Sequence, residues 1–130
     1  MDTTNTVAVI DTETAEARVA RGYAWLVESG SEYGLAVGRV DPATMAITDG
    51  YRCVLAQASG AFYTRVIDQV IPRREADWSN LEAYEAWTRD QEAWATAHGF
   101  LPARGAFWGD YTVSDVDALT EAWRVRLAGV

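Results

Sequence analysis

At 130 residues the chain has room for one domain, and an apolar fraction of 49% with six Trp and six Tyr excludes an intrinsically disordered protein. Nineteen acids against eleven bases give a net charge of −8, which keeps a small domain soluble and repels phosphate backbones. Direct nucleic-acid binding is therefore disfavoured, while a basic partner, including the DNA site of a DNA-binding protein, remains compatible with the charge.

The single cysteine, Cys53, cannot close an internal disulfide. Apolar runs such as Val7-Ala8-Val9-Ile10 are far too short to span a bilayer, and "MDTTNTVAVID" has neither the basic start nor the apolar stretch of a signal peptide. The expected location is the cytoplasm. All eleven basic residues are arginine and alanine is abundant, as codon bias in a GC-rich genome produces.

Residues 1–11 form a polar leader ending in a β-branched run, either a short strand or an extended arm. The spacing of Ala15, Val19, Gly22, Tyr23 and Leu26 predicts a first helix over 13–29, with Glu13 and Glu16 at its positive end and Gly30 as its stop. In residues 30–50 the alternation of Met45 and Ile47 fits a short strand, and a connector with one helical turn fits equally well. A second helix is predicted over 50–70, capped by Asp49 and closed before Pro72. Its apolar face is Tyr51, Val54, Leu55, Ala58, Phe62, Val66 and Ile67. Gly60 inside it costs about 1 kcal/mol against alanine, which close approach of another backbone would offset.

Ser79 with Glu82 reads as a capping box that opens a third helix. Leu81, Tyr84, Trp87, Trp94 and Ala95 make its inner face. Glu82, Glu85, Arg89 and Glu92 lie opposite, with Glu85 and Arg89 as an i,i+4 pair. "AHGFLP" ends it, with Gly99 as left-handed cap and Phe100 as the hydrophobic follow-up. After a Gly- and aromatic-rich loop over 99–113, Ser114 is expected to cap a last helix whose inner face is Val116, Leu119, Trp123 and Leu127. The pattern predicts an all-α fold: a bundle of about four amphipathic helices in one globular domain over 1–130.

Chemistry finds little support. Cys53 and His98 are the only residues able to form a Cys–His pair, and nothing in the sequence brings them together. A free cysteine is most often a small buried residue, and His98 is explained by its place at a helix end. No zinc-ligand cluster, EF-hand, P-loop, dinucleotide fingerprint or nucleophile elbow occurs, so no catalytic residue, metal or cofactor is assigned. Paired acids such as Asp115 and Asp117 read as helix starts. The aromatics say more. Phe107, Trp108 and Tyr111 crowd a glycine-containing loop, and Trp25 lies beside the inner face of the first helix. The loop aromatics either fold back over the bundle or stand out as an exposed anchor; in the second case these four make the candidate partner surface, since such residues are enriched in interface hot spots. Cys53, Gln57 and Gly60 make an alternative pocket.

In order along the chain stand "AWLVESG" (24–30), "CVLAQASGAFY" (53–63), "HGF" (98–100) and "LTEAWRVRL" (119–127). The pattern resembles small uncharacterised proteins of actinobacteriophages, mycobacteriophages above all, in which the second stretch typically reads Cys-Val-Leu-Gly-Gln. Cys53, Val54, Leu55 and Gln57 match, Ala56 departs, and Ala58 and Ser59 stand where bulkier residues are usual. The likeness covers most of residues 20–127. It implies an accessory phage product inside a bacterial host, and it assigns no activity and no residue role. The leading expectation is a non-enzymatic protein that binds a host or phage protein. The rivals are a small-molecule or nucleotide-binding protein near Cys53 and Gln57, and a homodimeric structural or assembly protein.

Overall fold

Helix α1, Ala15–Ser29, begins where Thr14 turns extended and its side-chain oxygen accepts the Ala17 N–H at 3.1 Å. Its buried residues are Ala15, Arg18, Val19, Gly22 and Leu26, a single stripe at three- and four-residue spacing. Glu13 and the 1–11 leader lie outside the residues described by this computed structural model, which are 14–73, 80–104 and 110–129. The α-helix ends at Ser29 with Gly30 as its C-cap, as expected, but without a left-handed turn. Gly30 keeps a right-handed conformation at φ −58°, and the chain tightens into a 3₁₀ turn, Gly30–Tyr33, before Gly34 turns left-handed at φ 72°. Leu35 packs against Gly30 and donates its N–H to the Gly30 carbonyl at 2.9 Å.

The stretch to residue 50 is a connector with a second 3₁₀ turn, Val37–Arg39, and no strand. It is nonetheless part of the core, because Leu35, Val40, Met45 and Ile47 are all buried. The single helix expected over 50–70 is two: α2, Val54–Ser59, and α3, Tyr63–Val70. Gly60 sits between them at φ 79° as the left-handed cap of α2, and no atom lies within 4 Å of where its Cβ would be. Conformation, and not close approach of another backbone, is thus the reason for that glycine. Asp49 does not cap α2; Cys53 occupies that position, and Asp49 closes the preceding turn instead.

Helix α4, Leu81–Ala97, is capped by Asn80, whose Oδ1 accepts the Ala83 N–H at 2.7 Å; Ser79 lies outside the described residues. Its buried positions are Gln91 and Ala95, with Trp87 and Trp94 half-buried, while Leu81 is 70% exposed and Tyr84 is exposed. The expected inner face therefore holds only toward the C-terminal end. Glu85 and Arg89 make no ion pair among the described residues; Glu92 instead binds Arg104 at 2.8 Å. The C-terminus follows expectation, with Gly99 left-handed at φ 72° and Phe100 buried, its N–H on the Ala95 carbonyl.

Helix α5, Val113–Ala128, starts at Thr112, so Ser114 lies one residue inside it and does not cap it. Leu119, Ala122, Trp123 and Leu127 face the core, and Trp123 Nε1 donates to the buried Gly99 carbonyl at 2.7 Å. The described residues are all-α, five helices with one isolated antiparallel bridge between Arg104 and Tyr111.

Two features lock α1 to the rest. Gly22 and Gly99 face each other's segments: a Cβ on Gly22 would fall on the His98 carbonyl, and one on Gly99 would lie 2.9 Å from the Val19 nitrogen. Beside this notch Arg18 is buried and bonded through all three guanidinium nitrogens. Its Nε donates to Thr96 O at 2.8 Å, Nη2 to Leu101 O at 2.9 Å, and Nη1 to both oxygens of Asp115 at 2.9 and 3.0 Å. Asp115 also accepts the Ala103 N–H at 2.6 Å. A charge can be buried this way because each of the three guanidinium nitrogens has an acceptor and one of those acceptors is a carboxylate.

Candidate functional site

The stretch from Asp49 to Arg65 folds back on itself through two side-chain-stabilised turns. Asp49 Oδ1 accepts the Tyr51 N–H at 2.8 Å, and Oδ2 pairs with Arg52 at 2.8 Å. Those contacts, the backbone N–H first, hold the Asp49 carboxyl below the usual carboxylate range. At the second turn, Ser59 Oγ accepts the Ala61 N–H at 2.9 Å while Gly60 reverses the chain. The Tyr63 N–H then reaches the Gly50 carbonyl at 2.7 Å and clamps the start of α3 to the first turn.

This clamp sets Tyr51 beside Phe62, ring centroids 6.0 Å apart and tilted by 48°. Both are exposed, Tyr51 by 77% and Phe62 by 44%. They border an open depression of about 440 Å³ that Gln57, Gly60 and Arg65 also line. The Arg65 side chain makes no ion pair or hydrogen bond among the described residues. Gln57, half-buried, is fully engaged: Oε1 accepts the Asp41 N–H at 2.7 Å and Nε2 donates to Arg52 O at 2.9 Å. It bolts the 41–52 loop to α2, which keeps the depression's wall in place.

Cys53 does not line this depression. Its side chain is buried at the start of α2, and burial pushes the thiol pKa up. Burial likewise raises Tyr63, with the nearby Cys53, Tyr111 and Glu92 adding in the same direction. His98 belongs to the end of α4, where its ring stacks on Trp94 at 4.3 Å. Its Nδ1 lies 2.8 Å from the Trp94 carbonyl, which makes Nδ1 the protonated nitrogen. Burial lowers the His98 pKa against the opposing pull of that carbonyl. No group of three or more His, Cys, Asp or Glu side chains able to hold a metal ion occurs among the described residues.

Of the aromatic residues singled out by sequence, Trp25 is half-buried. It stacks on Tyr33 at 5.7 Å and meets Trp94 edge-on at 4.8 Å, in a cluster continued by Phe100 and Trp123. Tyr111 lies under the Arg104 guanidinium, 4.3 Å from its ring centre, and no ring contact joins it to Trp25. Phe107 and Trp108 lie outside the described residues. The residues that the sequence misplaced are Tyr51 and Phe62, read as one inner helix face. The signals for the correct reading were Asp49-Gly50 and Ser59-Gly60, two turn dipeptides flanking a six-residue helix.

No helix among the described residues is long and apolar enough to cross a membrane. The chain has no significant match to any protein-family model, to any curated protein or to any solved structure.

Proposed function

We propose that the protein acts without chemistry of its own, by binding another protein through the Tyr51–Phe62 face. The carrying observation is the pair itself: two large aromatic side chains, exposed and adjacent, on a turn pinned by Asp49, Ser59, Gly60 and the Tyr63–Gly50 hydrogen bond. Aromatic rings held in place lose little conformational freedom on binding, and Tyr and Arg are prominent in interface hot spots. Arg65 supplies an uncommitted cation at the edge. The sealed thiol of Cys53 gives a rival ligand pocket no reactive group to work with.

In the wider reading this is a phage accessory protein that meets a host or phage protein in the bacterial cytoplasm. The lysine-free composition and the short motifs around Cys53 and Gln57 support that reading. The test is affinity capture from an actinobacterial lysate with three baits: wild type, Tyr51→Ala/Phe62→Ala, and Trp108→Ala. A partner recovered by wild type and Trp108→Ala but lost by the double variant supports the proposal. Equal recovery by all three, or no specific partner, refutes this face. Loss only in Trp108→Ala transfers binding to residues 105–109.

A further inference from the structure

A second surface lies between α1 and α5. The two helices run in the same direction: Arg18 and Asp115 meet near both starts, and further along Arg126 lies over the Tyr23 ring at 5.5 Å. Between them runs an open groove of about 540 Å³ with Val19, Tyr23, Ala122 and Val125 along it. Val125 is 66% exposed, large for a valine on a core helix. From Glu16 to Tyr23 the groove covers about 10 Å of helix axis, the length of two turns.

The charges along it are ordered. Glu16 lies in the first turn of α1, Glu121 lies midway on the opposite wall, and Arg126 lies in the last turn of α5. Neither glutamate side chain has an ion pair or hydrogen bond among the described residues. The groove opens at the start of α1, whose partial positive end faces the middle of α5, and closes at the end of α5, whose partial negative end faces the middle of α1. An added helix running antiparallel brings its negative C-terminal end to the positive start of α1 and its positive N-terminal end to the negative end of α5. The cations usual at a helix C-terminus then meet Glu16 and Glu121, and the acids usual at its N-terminus meet Arg126. A helix running the other way sets like ends and like charges together.

We propose that the α1–α5 groove receives an amphipathic helix of a partner protein, antiparallel to both walls, acidic in its first turn and basic in its last. This surface is separate from Tyr51 and Phe62, and the proposal does not rest on them.

The probes are two stapled helical peptides of identical composition with a leucine stripe at i, i+3, i+4 and i+7. One carries Glu in the first turn and Arg in the last; the other has them exchanged. The staple holds both helical, so the charge order alone differs. Fluorescence anisotropy at low salt should show the first peptide binding about three- to tenfold more tightly, the range expected for a few exposed charge pairs. Glu16→Gln/Glu121→Gln should erase that preference while binding remains. Val125→Glu should abolish binding of both peptides, with Val125→Ser as a second variant should the glutamate disturb the helix. The Tyr51→Ala/Phe62→Ala variant should bind as the wild type does. Equal affinity of the two peptides, a preference that survives in the Gln variant, binding indifferent to both Val125 variants, or no binding overturns the proposal. So does a dimer in sedimentation that Val125→Glu dissociates, since a second copy would then be the occupant.

Discussion

Replacing Gly22 by alanine tests whether the notch between α1 and the end of α4 is a real constraint. On an open helix surface the change would stabilise by about 1 kcal/mol, because glycine is a poor helix former. Here the added methyl falls on the His98 carbonyl, well inside van der Waals contact, with the Phe100 ring 3.2 Å away. That carbonyl is backbone, and it has little room to retreat because the next residue, Gly99, is itself seated on Val19. Relief must come from moving α1 away, which lengthens the Arg18 bonds to Thr96 O and Leu101 O. Overpacking costs about 1–3 kcal/mol and each stretched bond to a charged donor up to about 1.5–3. After the propensity gain is subtracted, a net loss of about 2–4 kcal/mol remains. For a chain of this length that lowers Tm by about 8–16 °C. Urea unfolding followed by tryptophan fluorescence and circular dichroism measures it, with Gly60→Ala as companion. Gly60 has open space and a left-handed backbone, so alanine there should cost only the strain of that conformation, about 1–2 kcal/mol. A Gly22→Ala protein as stable as wild type, or stabler than Gly60→Ala, would refute the reasoning.

Asp115→Asn leaves Arg18, whose side chain is only 8% exposed, without its counter-charge, and should cost about 3 kcal/mol in urea unfolding. A loss below about 1 kcal/mol would mean that the carbonyls of Thr96 and Leu101 suffice to hold the guanidinium. Stability against pH should be level between about 6.5 and 9 and fall on both sides. On the acid side His98 acts first: its folded pKa is lowered, so the unfolded chain takes up the proton first and gains as pH drops below about 6.5, and Asp49, lowered likewise, adds to the fall below about 4. On the alkaline side Cys53 and then Tyr63 act oppositely: their folded pKa values are raised, so the unfolded chain releases protons first as pH rises past 9. His98→Gln should flatten the upper part of the acid limb, and an unchanged upper part would place its origin elsewhere. Native Cys53 should resist iodoacetamide at pH 8 until urea unfolds the chain; modification without urea would show that the thiol is reachable.

What could be read in advance depended on whether the decisive interaction was local. The stripe of α1, the Gly99 cap and the inner face of α5 follow from residues within a few turns of one another, and each was legible. The break at Gly60 was legible in principle, since Ser-Gly ends a helix as readily as it interrupts one. The apolar period continues in phase across it through Val66 and Ile67, which masks the break. The choice between Ser79 and Asn80 turns on one residue, and both side chains can cap. Arg18 was not legible. An arginine beside an apolar stripe normally lies on a solvated flank, and its acceptors come from residues 96, 101 and 115. The candidate site was misread for a related reason. Tyr51 and Phe62 fit an inward helical phase, but their outward placement is imposed by the Tyr63–Gly50 hydrogen bond, which no local pattern announces.

The Arg18–Asp115 bridge joins residues 97 positions apart, and it bears on the order of events during synthesis. Helix α1 is the first described helix to be made and α5 the last. Until α5 leaves the ribosome, α1 has neither Asp115 for its arginine nor Leu119 and Trp123 for its core, so its apolar stripe is covered only by the connector after it and the end of α4. Closing so long a loop before any reward arrives slows folding relative to bundles of sequential hairpins. Stability accrues late, and a nascent chain halted before residue 115 would offer proteases an amphipathic helix with one side of its apolar stripe uncovered.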